Sequence, residues 1–103
     1  MTKPDTILEE LYTVIEARKE TMPADSYTAS LFAHERGENA VLEKLGEEVT
    51  ELILAAKDDN SAAIAHEGAD VVYHLLVLLA MHDMDLDDLT DELASRRGKT
   101  GKD

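Results

Sequence analysis

Two pairs of acidic residues stand in neighbouring segments of the chain, each pair spaced three positions apart. Glu48 and Glu51 form the first pair, Glu67 and Asp70 form the second, and fifteen residues lie between the pairs. Residues three apart share one face of an α-helix, so two adjacent antiparallel helices would bring all four carboxylates to one cavity. Oxygen ligands of this kind suit Mg²⁺ or Mn²⁺. One such pair is a weak signal, but its repetition on successive helices predicts a divalent-metal site.

The second acidic pair borders side chains that must be buried. On a helical wheel Glu67, Asp70 and His74 share about 60° of arc, next to the apolar residues of the same segment. A buried carboxylate must be protonated, paired or bound to metal, and the 10 Lys and Arg cannot neutralise 23 Asp and Glu. These facts favour a metal site. A solvated acidic surface stays the alternative for the first pair and for most of the other acids.

Other catalytic chemistries have little support. The sequence has no cysteine, which excludes thiolate zinc sites, iron–sulfur clusters and cysteine nucleophiles and favours a reducing compartment. A di-iron bundle site needs a Glu followed three residues later by His, and that pattern does not occur. No two of the four histidines stand four residues apart, so each is expected to make a surface or core contact; His74 is the exception to watch, because it shares the acidic arc.

The charge of the chain restricts its partners. A formal net charge of -13 repels nucleic acids and anionic membranes, and it also repels free nucleotide phosphates unless a divalent cation inverts the local charge. The longest apolar run, 71–81, is about half of what spans a bilayer, and no apolar signal-peptide core follows Met1. We therefore expect a cytoplasmic protein with no nucleic-acid and no membrane partner.

The elements that position the acids are predicted to be helices, and the predicted fold class is all-α. Only 4% of the residues are aromatic, and 44% are hydrophobic, which suits helices better than sheets. The apolar periodicity predicts four helices and one short helical piece. Their expected ranges are Asp5–Glu20, Ser26–Phe32, Glu38–Lys57, Ala62–Met81 and Leu86–Arg97.

One domain, residues 1–98, is expected, followed by a mobile tail at 99–103 that lacks apolar side chains. From Val71 to Met81 the sequence is apolar almost all round a helix, which indicates burial on every side. A chain of 103 residues supplies few neighbours for such a helix. We therefore expect four to five helices that form a bundle with a second subunit, as a homodimer or a higher homo-oligomer.

Five segments extend the acidic pattern into a longer signature: SYTASL at 26–31, EKLGEEVTE at 43–51, AAKD at 55–58, EGADVVYH at 67–74 and LVLL at 76–79. Together they resemble the phosphoribosyl-ATP pyrophosphohydrolase family of histidine biosynthesis, within the all-α nucleotide pyrophosphohydrolase superfamily. The similarity covers about residues 7–98. The doubled acidic motif is common to the superfamily, whereas Ser-Tyr-Thr and the Tyr-His after the acidic Asp point to the histidine branch.

The resemblance implies Mg²⁺-dependent hydrolysis of phosphoribosyl-ATP to phosphoribosyl-AMP and pyrophosphate. It also implies roles for individual residues. The metal ligands would be Glu48, Glu51, Glu67 and Asp70. The catalytic residues would be Lys44, which meets a phosphate, and Glu47, which is a further ligand or orients water. The substrate would be contacted by Ser26, Tyr27, Thr28, Tyr73 and His74.

Some alternatives stay open at this point. A related all-α enzyme would cleave a free nucleoside triphosphate with the same metal motif, and a non-catalytic acidic dimerisation module would use the acids only for solubility. Lys44 has the alternative of a salt bridge to Glu48, four residues on. Family members often continue with a basic tail where this sequence has Lys99–Asp103, and some are fused to a cysteine-dependent cyclohydrolase, so we expect a stand-alone form without tail contacts.

Overall fold

The computed structural model describes residues 4–97, with side chains described from residue 7 onward. Within this range every regular element is an α-helix, which confirms the all-α prediction. The helices are α1 (Pro4–Thr21), α2 (Tyr27–Phe32), α3 (Glu38–Lys57), α4 (Ser61–Met81) and α5 (Leu86–Arg96). The predicted range of α3 is confirmed, α1 extends one residue beyond its prediction at each end, and α2, α4 and α5 each differ from prediction by one residue at one end. The tail predicted at 99–103 lies outside the described residues.

Polar residues fix the starts of three helices. The side chains of Ser26 and Asn60 accept hydrogen bonds from backbone N–H groups in the first turns of α2 and α4, each at 3.1 Å. Before α5, the backbone N–H of Asp85 donates to the carboxylate of Asp88 at 2.8 Å. These contacts satisfy backbone groups that have no partner within the helix.

The turns that leave α3 and α4 are closed in the same way. Asp59, with φ 54°, and Asp83, with φ 56°, adopt the left-handed conformation just beyond the two helices. In each turn the following backbone N–H donates to a carbonyl of the last helical turn, at 3.1 Å after α3 and 3.0 Å after α4. Such Schellman closures reverse the chain sharply. As a result α4 folds back along α3, and the two form a helical hairpin.

Helices α1, α3 and α4 surround one hydrophobic core. Ile15 of α1, Val41 of α3, and Leu76 and Val77 of α4 are all 0% exposed. The rest of the buried cluster is Tyr12, Leu31, Leu79, Ala80 and Leu86. By length and composition α4 could also cross a membrane, but it supplies four of the nine buried residues of this core, more than any other helix. Its carboxyl-terminal half is therefore held firmly in place.

Part of the predicted apolar surface is not covered within one chain. The helical spacing of Leu42, Val49 and Ile53 places them on one face of α3, yet they are 42%, 43% and 55% exposed. We call these three residues the α3 stripe. On α4, Val72 is 40% exposed. The described residues of one chain therefore do not bury α4 on every side, and the shared bundle stays a prediction.

Lys19 connects α1 to the end of α4. Its Nζ donates to the carbonyl of Ala80 at 2.7 Å and to the carboxylate of Asp83 at 2.6 Å. The hydrogen bond and the charge of Lys19 both lower the pKa of Asp83. Because the Asp83 side chain is 87% exposed, the ion pair alone contributes little. The hydrogen bond to the carbonyl of Ala80, which also accepts from the backbone N–H of Asp83 at 3.1 Å, is the contact at the carboxyl end of α4 expected to stabilise the fold.

Replacing Lys19 by Met keeps the apolar part of the side chain and removes both hydrogen bonds. We expect the Lys19→Met variant to lose about 1 to 2 kcal/mol of unfolding free energy. Urea denaturation at one salt and one protein concentration measures this change. Lys57→Met, at an exposed lysine in the last turn of α3, is the matched control and should stay within about 0.5 kcal/mol of the parent. Equal losses in the two variants would contradict the role given to Lys19.

Candidate active site

The hairpin of α3 and α4 brings residues of both acidic pairs close together. Oε1 of Glu48 lies 2.7 Å from Nδ1 of His74, which stands one helical turn beyond Asp70. Glu51 approaches Glu67 closely enough for its charge to change the pKa of Glu67. The acids therefore face one another across two helices that are joined by the tight turn at 58–60. Rigid helices, rather than a loop, set their spacing.

Two carboxylate oxygens of this hairpin are buried without a hydrogen-bond donor, Oε1 of Glu48 and Oε1 of Glu67. The short contact between Glu48 and His74 is not an aligned hydrogen bond, because the imidazole Nδ1 donates to the backbone carbonyl of Asp70 at 3.1 Å. A buried anion without a partner costs several kcal/mol in a folded protein. A divalent cation would supply a partner to carboxylate oxygens of this kind, so these acids fit a metal site.

Glu67 is held in an unfavourable electrostatic environment. Burial raises the pKa of its carboxyl, and the charge of Glu51 and a hydrogen bond with Glu51 raise it further. Asp70 adds a smaller effect in the same direction, while His66 opposes it. Burial and neighbouring negative charge both disfavour the charged form of this carboxyl, and a bound cation would favour it again.

His66 adds a nitrogen donor at the same place. Its Nε2 lies 3.5 Å from Oδ2 of Asp70, and its side chain is 72% exposed. Ligand atoms of His66, Glu67 and Asp70 all lie within 4.8 Å of one another. Only a surface or core contact was predicted for His66, because no second histidine stands four residues away from it. The useful signal was the same spacing between His66 and the acidic Asp70.

Tyr27 and Tyr73 form an aromatic wall beside the acids. Their ring centroids are 6.2 Å apart with 27° between the planes, and Tyr27 is 52% exposed. The hydroxyls of Tyr73 and Thr28 are hydrogen-bonded at 2.5 Å, which fixes α2 against α4. Burial raises the pKa of both tyrosines, so both hydroxyls stay protonated at neutral pH. The wall offers a flat face on which a planar base can stack.

His74 lies beneath this wall and is 4% exposed. Because its Nδ1 donates to the carbonyl of Asp70, its Nε2 accepts a hydrogen bond from the hydroxyl of Tyr27, at 3.1 Å. The ring also packs edge-on against Tyr73, with centroids 4.8 Å apart. Both nitrogens are thus engaged by protein groups. The imidazole connects α2, α3 and α4 at one point.

The remaining predicted residues lie at the edges of this arrangement. Nζ of Lys44 is 4.0 Å from Oε1 of Glu47, and both side chains are about half exposed. The alternative salt bridge from Lys44 to Glu48 is not formed, because Glu48 turns inward beside His74. The hydroxyl oxygen of Ser26 caps α2, so this oxygen serves the fold directly.

A concavity of about 500 Å³ lies elsewhere, between α1 and the turn after α4. Lys19 is the one cation among its lining residues, and it is already bound to Ala80 and Asp83. The titratable neighbours of Lys19 there are all acidic: Glu16, Glu20, Asp83 and Asp85. An acidic surface without a free cation repels phosphate groups. The α3–α4 hairpin is therefore the better candidate for the functional site.

Comparison with known proteins identifies the family of this chain. The sequence profile described as phosphoribosyl-ATP pyrophosphohydrolase matches residues 8–97. Proteins named phosphoribosyl-ATP pyrophosphatase from Haloarcula marismortui and Haloquadratum walsbyi are 70% and 66% identical, over 88% and 90% of this chain and 93% of each relative. One from Pelotomaculum thermopropionicum is 50% identical over 90% of this chain and 93% of its own length. These matches confirm the resemblance seen in the motifs, and the chain belongs to the phosphoribosyl-ATP pyrophosphohydrolase family.

Proposed function

We propose that this chain hydrolyses phosphoribosyl-ATP between the α and β phosphates, in the cytoplasm, as a step of histidine biosynthesis. The products are phosphoribosyl-AMP and pyrophosphate. The observation that carries the proposal is the pair of buried, unpartnered carboxylate oxygens of Glu48 and Glu67 on facing helices. Family membership supplies the substrate, and the acid pairs supply a way to bind its phosphates through a cation.

The four acids Glu48, Glu51, Glu67 and Asp70 are the proposed ligands of Mg²⁺, with Mn²⁺ as a substitute. When bound, the cation neutralises phosphate oxygens and lowers the pKa of the attacking water. The contribution of the chain is to carry the four carboxylates on two helices of one hairpin before the substrate arrives. This arrangement also explains how a chain with a net charge of -13 can bind a polyphosphate.

Lys44 and Glu47 are proposed to act at the edge of the metal site. The 4.0 Å between Lys44 and Glu47 is longer than a hydrogen bond, so the half-exposed ammonium is free to reach a phosphate oxygen. Glu47 serves as a further ligand or orients the attacking water. The nucleotide side of the site is formed by Ser26, Tyr27, Thr28 and Tyr73.

His74 is proposed to position other residues instead of touching the substrate. Its two nitrogens are used by Tyr27 and by the backbone of Asp70, and its ring stands against Glu48. One buried imidazole therefore fixes a residue of the nucleotide wall and a carboxylate of the metal site together. Outer contacts of this kind hold metal ligands in orientation, and their loss usually weakens metal binding by about 10- to 100-fold.

The α3 stripe supports a second subunit. Leu42, Val49 and Ile53 are apolar side chains on one helical face, and each is more than two-fifths exposed. A small domain of this length gains stability by burying such a face against another copy, which would complete a helical bundle. We propose a homodimer or higher homo-oligomer with the α3 stripe at its interface.

Pyrophosphate release from phosphoribosyl-ATP is expected to require Mg²⁺. Glu48→Gln and Asp70→Asn each replace an anionic ligand by a neutral side chain of nearly the same shape, and we expect each to lower turnover by about 100-fold or more. Their thermal stability without metal should equal or exceed that of the parent, because one repelling charge is removed. Glu92→Gln, an exposed acid of α5, is the control with unchanged turnover.

Three results would contradict the proposal, two from this assay and one from calorimetry. Near-normal turnover in the Glu48 and Asp70 variants would contradict the metal assignment. Faster turnover of a free nucleoside triphosphate than of phosphoribosyl-ATP would change the substrate. A calorimetric titration that shows no saturable Mg²⁺ site would favour a non-catalytic acidic module.

Two substitutions separate the two contacts of His74. His74→Asn keeps a polar group near the position of Nδ1 and loses the contact to Tyr27, so we expect KM for the nucleotide to rise about tenfold with little change in Mg²⁺ affinity. His74→Gln keeps a polar group near Nε2, and we expect Mg²⁺ affinity to fall about tenfold instead. Tyr27→Phe should reproduce the effect of His74→Asn. Identical losses in both His74 variants, or none, would contradict the positioning role.

Sedimentation equilibrium at micromolar concentration tests the assembly. The parent is expected to sediment as a dimer or larger, and Ile53→Glu is expected to shift it towards the monomer because a charge enters the α3 stripe. Leu93→Glu is the matched control, at a leucine of α5 that is 57% exposed and outside the stripe. A folded parent that is monomeric, or equal dissociation in both variants, would contradict the proposed interface.

A further inference from the structure

We infer that His66 turns the outer part of the metal site into a binding site for a transition-metal ion of the Zn²⁺ class, with Glu67 and Asp70 as its other ligands. The inference rests on the proposed function, because it uses two of the four carboxylates proposed for Mg²⁺. It concerns a residue to which the acidic motif gives no role. It predicts that the two kinds of metal ion compete at this chain.

The geometry of the three side chains fits one metal ion. Their ligand atoms lie within 4.8 Å of one another, and the His66 nitrogen is 3.5 Å from Asp70. Ligands bound to one Zn²⁺ ion at bond lengths of about 2.0 to 2.2 Å lie roughly 3.5 Å apart in a tetrahedral site. The separations found here are close to that value for His66 and Asp70 and exceed it by at most 1.3 Å for the other pairs. Glu67 also has a buried carboxylate oxygen, Oε1, with no hydrogen-bond donor.

The chemistry of the donor set separates the two classes of ion. Mg²⁺ prefers oxygen ligands in octahedral geometry and gains little from an imidazole. Zn²⁺, Co²⁺ and Ni²⁺ bind imidazole nitrogen well and accept carboxylates beside it. His66 should therefore raise the affinity of the site for these ions without raising its affinity for Mg²⁺. An ion held by His66, Glu67 and Asp70 occupies two carboxylates that the proposed Mg²⁺ site needs, so it excludes Mg²⁺.

His82 supplies a comparison within the same chain. Its Nε2 lies 2.9 Å from Oε2 of Glu38, and both side chains are about half exposed. This contact is shorter than the one between His66 and Asp70, but among the described residues no group of three ligand atoms forms around His82 as it does around His66. A half-exposed ion pair of this kind has a small energy. His82 is therefore the matched control for an imidazole beside an acid but outside a three-ligand group.

Calorimetric titration of the full, metal-free chain tests the inference, with ZnCl₂ and MgCl₂ as the probes. In His66→Asn we expect Zn²⁺ affinity to fall at least tenfold and Mg²⁺ affinity to stay within twofold of the parent. His82→Asn should leave both affinities unchanged. Cu²⁺ bound to the parent gives a second signal, because nitrogen coupling in its electron paramagnetic resonance spectrum should disappear in His66→Asn and persist in His82→Asn.

The outcomes distinguish this inference from the proposed function. Saturable Mg²⁺ binding together with unchanged Zn²⁺ affinity in His66→Asn would overturn the inference and leave the proposed function intact. Equal losses of Mg²⁺ and Zn²⁺ affinity would also overturn it, since His66 would then only support the fold of the site. If the parent binds neither ion, the proposed metal site fails and the inference fails with it.

Discussion

The structure of the candidate active site depends on one constraint, the burial of negatively charged side chains between α3 and α4. Oε1 of Glu48 and Oε1 of Glu67 are buried without donors, and Glu51 adds further repulsion beside Glu67. The nitrogen nearest to Glu48 Oε1, Nδ1 of His74 at 2.7 Å, already donates to the carbonyl of Asp70. The stabilising free energy comes from elsewhere in the fold, where each fully buried side chain such as Leu76 or Val77 contributes about 1.5 to 3 kcal/mol. The core thus holds together acids that repel one another.

Helix α4 performs both tasks along its length. Its carboxyl-terminal half supplies the core, and its end is fixed by Lys19 of α1. Its amino-terminal half carries the acids and His66, where the helix is more exposed. His74 stands at the boundary and is buried, yet all its polar contacts face the site. The position of the acids is therefore set by packing that lies one to three helical turns away from them.

The sequence was sufficient for the helices and for the acid pairs, because both follow from spacing along the chain. It was insufficient where a side chain serves two environments. Tyr12 is one such residue, and it was not predicted to be in the core. Its ring is buried, and its polar hydroxyl donates to the carbonyl of Met84. The α3 stripe was correctly seen as apolar, yet periodicity cannot tell which partner covers such a face. His66 was missed for a different reason. Its partner is Asp70, an acid of the paired motif, and not a second histidine.

The few cations of the chain explain why phosphate binding is proposed to depend on a metal. Lys19, Arg36 and Arg96 are paired with acids of this chain, at 2.6, 3.0 and 3.1 Å. Lys44 has only the long contact to Glu47 beside the site. One ammonium cannot balance a polyphosphate next to several carboxylates, since each nearby acid repels the same phosphate oxygens. A divalent cation reverses that relation, because the acids that repel the phosphates are the ones that hold the ion which attracts them. The acidity that repels a free polyphosphate is then what makes the proposed nucleotide site of this chain selective for a metal-bound substrate.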